Sequence, residues 1–357
     1  MPRPAIVFGG PSPEHDISVS TGLQATHTLG DVWAIYWDKQ GRFHAVDPAA
    51  EPVDFAEGIP RKARELGFSA VPGGGFTLRR KPLDISVVVN CCHGGPGEDG
   101  TLQAAFELVG YRFTGPGSRG SALGMDKFAF SATVAALGLP VLPRLLLGPD
   151  TRPDFPPPYI VKPRYGGSSI GIEITEDVET ALALLASSPH LREGAVIEPY
   201  LADCRDLQVA VRTYPEFQTS AIEEPLRAEA GLYSYRQKYL AWGESGQAAR
   251  RLPADVDPPL AEQVKALARR VAELCQLRSV GRVDFLERGG ELWVNEVNTI
   301  PGSLAAYLWI DPPIDRATLL ADMITEAETR PPRIFSAAGA DGTALRSARS
   351  IAAKLGG

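Results

Sequence analysis

The stretch GRVDFLERGGELWVNEVN, residues 281–298, has two apolar runs on either side of a Gly-Gly pair. Apolar runs joined by glycines predict an antiparallel β-hairpin, and this hairpin constrains the fold more than any other segment. Side chains two residues apart on a strand point to the same face, so Glu296 and Asn298 are neighbours. Their oxygens suit Mg²⁺, which takes its remaining ligands from water and phosphates. Either a metal site or a polar strand end explains this pair.

The connection between the two strands decides which other side chains share that face. If residues 288–290 form a three-residue connection, Arg282 lies opposite Glu296 and Asp284 joins the same face. A two-residue turn at positions 289–290 would put Asp284 on the other face. We favour the first register, because three oxygen ligands and one guanidinium on a single face indicate a metal–phosphate site.

A second polar segment, KPRYGGSSIG at residues 162–171, lies between two predicted strands. Its glycines let backbone N–H groups approach phosphate oxygens, and Ser168 and Ser169 add hydroxyl donors beside the charge of Lys162. The Walker pattern GxxxxGK[ST] is absent. The segment is therefore either a phosphate-binding loop or an ordinary flexible turn.

Strand-like and helix-like segments alternate in the first third of the chain, where AIVFGG, VWAIYWD and DISVVVNCC are the apolar strands. This alternation predicts an α/β domain with a parallel sheet and functional residues at the carboxyl ends of its strands. A proline-rich segment then opens a compact module, and a long amphipathic helix leads into the hairpin. We predict an N-terminal α/β domain, two smaller α+β units and a tail, at residues 1–120, 121–204, 205–330 and 331–357.

Composition excludes several classes of protein. A net charge of −7 over 357 residues argues against general nucleic-acid binding, which requires basic surface. No run of 18 apolar residues is present, so we expect no membrane span. The four cysteines form no CxxC pair and no zinc spacing, which favours reduced thiols and a cytoplasmic location.

Seven segments stand in order along the chain: VFGGPSPEHDIS, HGGPGEDGTLQ, GMDK, IVKPRYGGSSIG, YSYRQKY, GRVDF and NEVNTIPG. In this order they resemble the ATP-grasp superfamily, and within it the D-alanine–D-alanine ligases. The resemblance implies a three-domain chain with ATP between the central and C-terminal domains. It also implies that ATP phosphorylates a substrate carboxylate, that an amine attacks the acyl phosphate, and that phosphate leaves. We expect amino acids and ATP as substrates, and a homodimer.

The resemblance also implies contacts on the nucleotide side of the site. Asp284, Glu296 and Asn298 match the ligands of two Mg²⁺ ions, with Mn²⁺ as an alternative metal. Positively charged and hydroxyl side chains match phosphate contacts, and two carboxylates match the adenine or ribose end. In this sequence the phosphate contacts are Lys127, Lys162, Ser169 and Lys238, and the two carboxylates are Glu198 and Asp206.

On the amino-acid side, the resemblance implies a hydrogen-bonded trio that orients the first substrate. Arg282 and the backbone N–H of Gly302 match the oxyanion site for the tetrahedral intermediate. His93 matches a residue beside the carboxylate of the first substrate. The members of the trio are Glu14, Ser168 and Tyr239.

One position departs from the family pattern. After NTIPG the family continues with a serine-rich segment whose last serine grips the carboxylate of the second amino acid, and this chain has Tyr307 there. The phenol fills space that a second D-alanine would occupy. We therefore keep two ligase hypotheses, a D-alanine–D-alanine ligase and a ligase with a different acceptor amine from secondary metabolism. A non-catalytic nucleotide-binding protein is disfavoured, because the expected metal and phosphate residues are all present.

Overall fold

The computed structural model describes residues 2–226, 250–348 and 350–351. Within these ranges the strands form three sheets, of seven, four and five strands. Helices lie beside each sheet, which confirms the predicted α/β class. No helix in the described ranges is long and apolar enough to cross a membrane.

The N-terminal sheet consists of β1 (Arg3–Gly9), β2 (Trp33–Trp37), β3 (Phe43–Val46), β4 (Arg64–Ser69), β5 (Gly75–Leu78), β6 (Lys81–Pro82) and β7 (Ile85–Asn90). Its order is β6-β5-β4-β3-β2-β1-β7. The predicted parallel pairing is present where β1 pairs with β2 and β7. The remaining pairs are antiparallel, so the sheet is mixed. Connections such as residues 79–80 are too short for the crossover that a parallel pair needs.

Five helices accompany this sheet and the segment after it: α1 (His15–Leu29), α2 (Gly95–Glu98), α3 (Thr101–Val109), α4 (Ser118–Met125) and α5 (Lys127–Ala136). Helix α1 approaches β1 closely, since a Cβ atom at Gly22 would lie 2.3 Å from the side chain of Phe8. This contact fixes the start of α1 near the carboxyl end of β1, where Glu14 precedes the helix.

The central sheet has the order β10-β9-β11-β8 and is antiparallel. Its strands and helix are β8 (Leu145–Leu146), β9 (Tyr159–Pro163), β10 (Glu173–Thr175), β11 (Ala195–Pro199) and α6 (Val178–Ser187). Strands β9 and β10 flank the glycine-serine segment, as predicted. Every residue of β9 is buried, so Lys162 enters the interior from a core strand.

The C-terminal sheet has the order β14-β13-β12-β15-β16 and is also antiparallel. Its strands and the helix that packs on it are β12 (Arg205–Arg212), β13 (Gln218–Pro225), β14 (Arg250–Arg251), α7 (Pro258–Leu274), β15 (Val280–Arg288) and β16 (Glu291–Asn298). The chain continues with α8 (Arg316–Thr329) and, in the tail, α9 (Thr343–Ser347). Short 3₁₀ helices cover Pro52–Phe55 and Pro189–Leu191. A kinked 3₁₀ helix covers Gly302–Leu308, where Ser303, Leu304 and Ala305 have positive φ. Helix α7 buries Val264, Leu267 and Val271 against the sheet, as the apolar period predicts.

The hydrophobic cores do not follow the predicted domain boundaries. Leu319 and Met323 of α8 share a core with Ile6 of the N-terminal sheet, and the 3₁₀ helix at 302–308 belongs to the same core. Phe130 of α5 packs in the core of the C-terminal sheet. The segments that follow the hairpin are therefore held against the N-terminal sheet, while the division into domains stays a prediction.

The start of the tail contacts α3 of the N-terminal unit. Arg333 forms an ion pair of 2.6 Å with Glu107 of α3, and the described part of the exposed tail beyond it contains the short α9. The four cysteines are buried free thiols, as predicted.

Candidate active site

The β15–β16 hairpin ends in a tight turn. Arg288 pairs with Glu291, so the turn contains only Gly289 and Gly290. Both glycines have positive φ, 61° and 89°, as two-residue hairpin turns of type I′ require. The three-residue connection that we predicted from the sequence is wrong, because the Gly-Gly pair satisfies the turn without a third residue.

A β-bulge nevertheless puts the carboxylates on one face. Phe285 pairs with Val294, whereas the preceding residue, Asp284, pairs with Glu296. The register shifts here, and Asn295 is the extra residue on β16. Because an extra residue reverses the side-chain alternation that follows it, Asp284 and Glu296 share a face despite the two-residue turn.

Beyond the bulge, Arg282 pairs with Asn298, and the predicted pairing of Arg282 with Glu296 is wrong for the same reason. The Nε and Nη2 atoms of Arg282 donate to the two carboxylate oxygens of Asp284, at 2.7 Å each. Asn298 Nδ2 also donates to Asp284 Oδ2, at 3.1 Å. One guanidinium and three oxygen-bearing side chains therefore meet on this face.

The donor set fits Mg²⁺. Two carboxylates and one amide are hard oxygen ligands, and they are provided here by Asp284, Glu296 and Asn298. Within the described ranges no group of three or more His, Cys, Asp or Glu could hold a metal ion alone. A partial set suits an ion that completes its coordination with phosphates and water.

Two lysines lie beside this face. Lys127, the first residue of α5, has its Nζ 3.7 Å from Glu296 Oε2 and donates to the carbonyl of Gly166. Lys162 of β9 donates to Asn295 Oδ1 at 3.3 Å, so the bulge residue joins the cluster. Burial lowers the pKa of Lys127, helped by nearby cations and opposed by Glu296. These amines supply positive charge where phosphates are expected.

Arg144 was not found from the sequence. It lies just before β8, and its guanidinium donates to Glu198 Oε2 at 2.9 Å, to the Lys127 carbonyl at 2.8 Å and to the Asn295 carbonyl at 3.3 Å. Its side chain is 2% exposed. An arginine inside the apolar run VLPRLLLG was the signal available in the sequence.

The structure gives Glu198 two cationic partners, Arg144 and Lys162. Burial would raise the pKa of this carboxyl, but the two cations lower it overall. Its predicted contact with adenine or ribose stays a prediction. Its present contacts join β11 to the cluster of cations.

The glycine-serine segment crosses between the central sheet and the N-terminal unit. Ser168 and Ser169 have φ of 54° and 58°, which residues other than glycine adopt rarely. Ser168 Oγ donates to Glu14 Oε1, so two members of the predicted trio are in contact. Tyr239, the third member, and Lys238 lie outside the described residues.

His93 and Glu98 bind the backbone of Ile300, which lies two residues after β16, at its carbonyl and its N–H group. His93 Nδ1 lies 2.7 Å from the carbonyl oxygen of Ile300, and its Nε2 lies 2.8 Å from Thr21 Oγ1. Glu98 accepts hydrogen bonds of 2.9 Å from the N–H groups of Ile300 and Gly94. This clamp holds the turn that leads to Gly302.

Burial lowers the pKa of His93 to about 4, so the ring is neutral at neutral pH and donates from Nδ1 to Ile300. Burial and the nearby Glu14 raise the pKa of Glu98 to about 7. Both ring nitrogens of His93 thus have protein partners, and its predicted role beside a substrate carboxylate stays a prediction. Glu98 was not among the site residues predicted from the sequence.

Tyr307 lies in the 3₁₀ helix at 302–308 and donates from its hydroxyl to Glu223 Oε2 at 3.0 Å. The guanidinium of Arg250 lies 4.8 Å from the ring centroid, and its Nη1 is 3.4 Å from Glu223 Oε1. Burial, followed by the charge of Glu223, raises the pKa of Tyr307. Glu223 and Arg250 were not found from the sequence, because they lie on β13 and β14, far from Tyr307 along the chain.

Two cavities meet at the face of β15 and β16 that carries Asp284 and Glu296. A cleft of about 100 Å³ is lined by Lys127, Lys162, Ser169, Glu198, Asp206, Asp284 and Glu296, among others. A larger cavity of about 710 Å³ is lined by Glu14, His93, Ser168, Arg282, Glu296, Asn298, Gly302 and Tyr307, among others. Among the described residues, the predicted nucleotide-side residues other than Asn298 line the cleft. Asn298 and the predicted amino-acid contacts line the cavity, and Glu296 and Lys127 line both.

Two protein-family models match most of the chain. The family model described as "D-ala D-ala ligase N-terminus" matches residues 3–116, and the model described as "D-ala D-ala ligase C-terminus" matches residues 152–325.

The chain is similar to a D-alanine–D-alanine ligase of Prochlorococcus marinus, with 31% identity over 350 residues that cover 90% of this chain and 97% of the relative. It is equally similar, at 31% over 353 residues, to D-alanine–D-alanine ligase B of Bradyrhizobium diazoefficiens, covering 91% and 93% of the two chains. The crystal structure of the D-alanine–D-alanine ligase of Helicobacter pylori superposes with a TM-score of 0.72 and 26% identity, over 91% of this chain and 99% of that one.

Proposed function

The chain belongs to the D-alanine–D-alanine ligase family, and from this we propose how its site joins two amino acids. It is an ATP-grasp ligase that forms a peptide bond at the expense of ATP. The observation that carries the proposal is the single face of β15 and β16 that lies between a cleft with two lysines and a cavity with Glu14.

The reaction has two steps. In the first, a donor carboxylate oxygen attacks the γ-phosphorus of ATP; the bond to ADP breaks and an acyl phosphate forms. In the second, the acceptor amine attacks the carbonyl carbon; the C–N bond forms, the bond to phosphate breaks, and the ammonium proton passes to phosphate or solvent. Positioning and charge neutralisation supply most of the acceleration in such a reaction.

On the nucleotide side, Lys127 and Lys162 neutralise phosphate charge in the cleft, and Ser169 donates from its strained loop. Asp284, Glu296 and Asn298 would hold Mg²⁺, which when bound neutralises the phosphates and orients them. Arg144 donates to the carbonyl of Lys127 and Glu198 pairs with Lys162, and these buried contacts hold the two lysines in the cleft. Asp206, which lines the same cleft, faces the ribose end in this proposal.

On the amino-acid side, Glu14 binds the ammonium group of the donor, and its contact with Ser168 orients the carboxylate. Gly302 N–H and Arg282 stabilise the oxyanion of the tetrahedral intermediate. The His93–Glu98 clamp on Ile300 positions Gly302, two residues further along. The pairing of Arg282 with Asp284 holds the guanidinium at the edge of the cavity.

Measurement of ADP release tests the proposal. The protein is incubated with ATP, Mg²⁺ and a panel of D- and L-amino acids, singly and in pairs, and products are identified by mass spectrometry. We expect ADP, phosphate and a dipeptide or related amide in equal amounts. ADP release without an amide in every pair, or no ADP release at all, would contradict the proposal.

A second candidate, the same chemistry with an acceptor other than D-alanine, is supported by Tyr307. The family position that holds a small hydroxyl carries a phenol whose hydroxyl is already bonded to Glu223. An acceptor carboxylate placed there would lie beside the carboxylate of Glu223. It would also lack the hydroxyl partner that the serine of the family provides. The number of metal ions, the use of Mn²⁺, the homodimer and the cytoplasmic location stay predictions; the buried free thiols support a reducing compartment.

A further inference from the structure

The larger cavity contains four positively charged residues in its wall, and three of them have partners within the protein. Lys127 pairs with Glu296, Arg250 pairs with Glu223, and Arg282 pairs with Asp284. The carboxylates of the wall are likewise engaged.

Arg316, the first residue of α8, is different. It lines the cavity, yet it forms no ion pair and no hydrogen bond with any side chain or backbone group in the part of the chain that the structure describes. Burial lowers the pKa of its guanidinium, and no neighbouring carboxylate opposes that effect. A half-buried guanidinium in a ligand cavity is suited to bind a carboxylate.

The proposed reaction indicates which substrate carboxylate is available to Arg316. The carboxylate of the donor is consumed when the amide forms, whereas that of the acceptor survives. Tyr307 and Glu223 close the position that receives the acceptor carboxylate in the family. An acceptor that carries a carboxylate therefore needs a different partner for it, and Arg316 is a cation on the same cavity.

Arg316 lies on a different wall from the reacting face. Helix α8 packs against α1 and β7 of the N-terminal unit, while Arg282 and Glu296 lie on the C-terminal sheet. A cavity of about 710 Å³ is in the range that holds ligands much larger than alanine. A cavity of this volume has room for an acceptor whose amine lies at the reacting face while its carboxylate lies at Arg316.

We propose that Arg316 binds the carboxylate of the acceptor substrate, and that this acceptor is an amino acid with its amine and carboxylate separated by several methylene groups or an equivalent spacer. The inference rests on the proposed function. It makes Arg316 a specificity-determining residue that acts on the acceptor alone.

The test uses the full-length protein, ATP, Mg²⁺ and the donor that gives the most ADP in the amino-acid panel. The acceptors are glycine, D-alanine, β-alanine, 4-aminobutanoate and 5-aminopentanoate, with n-butylamine as the analogue that lacks a carboxylate. We expect the longer amino acids to be the better acceptors. Arg316→Gln should raise the KM for them by about tenfold to a hundredfold, which is typical of a lost charged hydrogen bond.

Three features separate this role from a structural one. The KM values for ATP and donor should not change in Arg316→Gln, the KM for n-butylamine should not change, and Arg316→Lys should recover part of the loss. Arg270→Gln, at an exposed position of α7, is the control for loss of an arginine.

The outcomes are distinct. If glycine or D-alanine is the best acceptor and Arg316→Gln leaves every KM unchanged, the inference is overturned while the proposed function stands. If Arg316→Gln raises only the KM for the donor, Arg316 binds the donor and the inference is also overturned. No ADP release with any pair would overturn the proposed function, and this inference with it.

Discussion

Asp284 lies directly opposite Glu296 across the β15–β16 hairpin, although the two-residue turn alone would put them on opposite faces. The bulge adds Asn295 to β16, and this extra residue brings Asp284 and Glu296 back to the same face. It also turns Asn295 toward the cleft, where its carbonyl and amide oxygens accept from Arg144 and Lys162. One irregularity thus aligns the proposed metal ligands and connects the hairpin to Arg144 and Lys162.

The first prediction concerns these ligands. Asp284→Asn and Glu296→Gln should each lower ADP release by at least about a hundredfold, because the phosphates lose charge neutralisation. Initial rates over a Mg²⁺ titration measure the effect, and circular dichroism checks the fold. Glu291→Gln, at an exposed position on β16, is the matched control. Unchanged rates at limiting Mg²⁺ would show that these carboxylates do not hold the metal.

The second prediction concerns Arg144. Arg144→Met leaves a buried Glu198 with only Lys162 as a partner, and should lower the free energy of unfolding by about 3 to 5 kcal/mol. Urea denaturation measures it. The double variant with Glu198→Gln should lose less than the sum of the single losses, since the two side chains interact. Additive losses would mean that the ion pair contributes nothing specific.

The third prediction is a pH dependence from His93. Its folded pKa, about 4, lies below its ordinary value of 6.5, so the unfolded chain binds more protons between these values. The stability of the native protein relative to His93→Gln should therefore fall as the pH decreases through this window, by at most about 1.4 kcal/mol per pH unit. Urea unfolding at several pH values measures it, with His190→Gln at an exposed position as control. A difference independent of pH would contradict a buried neutral ring.

Glu98 should behave in the opposite way. Its folded pKa, about 7, lies above the ordinary value of 4.5, so the folded protein binds more protons between these values. The stability of the native protein relative to Glu98→Gln should fall as the pH rises through the window. The same denaturation series measures both residues. Parallel trends for the two variants would exclude the clamp as described.

The last prediction concerns Tyr307. Tyr307→Ser opens the closed position and restores a small hydroxyl, so the KM for D-alanine as acceptor should fall by about tenfold or more. Tyr307→Phe is the control, because it removes the hydrogen bond to Glu223 but keeps the ring, and should not improve D-alanine. Efficient formation of D-alanyl-D-alanine by the unmodified protein, with no change in Tyr307→Ser, would mean that the ordinary dipeptide reaction is the correct one.

The amino-acid sequence by itself determined the local elements and the chemistry available to them. The apolar period of α7, the strands on either side of Ser168 and the hairpin at residues 281–298 follow from side-chain alternation and glycine placement. The oxygen-bearing side chains at positions 284, 296 and 298, proposed as metal ligands, are visible in the sequence, and so is the departure at Tyr307.

Tertiary structure decided the register and the partners. The bulge at Asn295 could not be predicted, because its partners Arg144 and Lys162 reach it from the central sheet. His93 meets Ile300 across 207 positions of sequence, and Tyr307 meets Glu223 across 84. Local propensity carries no information about such pairs. They form because packing of three sheets brings their side chains together, and burial then makes each polar group depend on a partner.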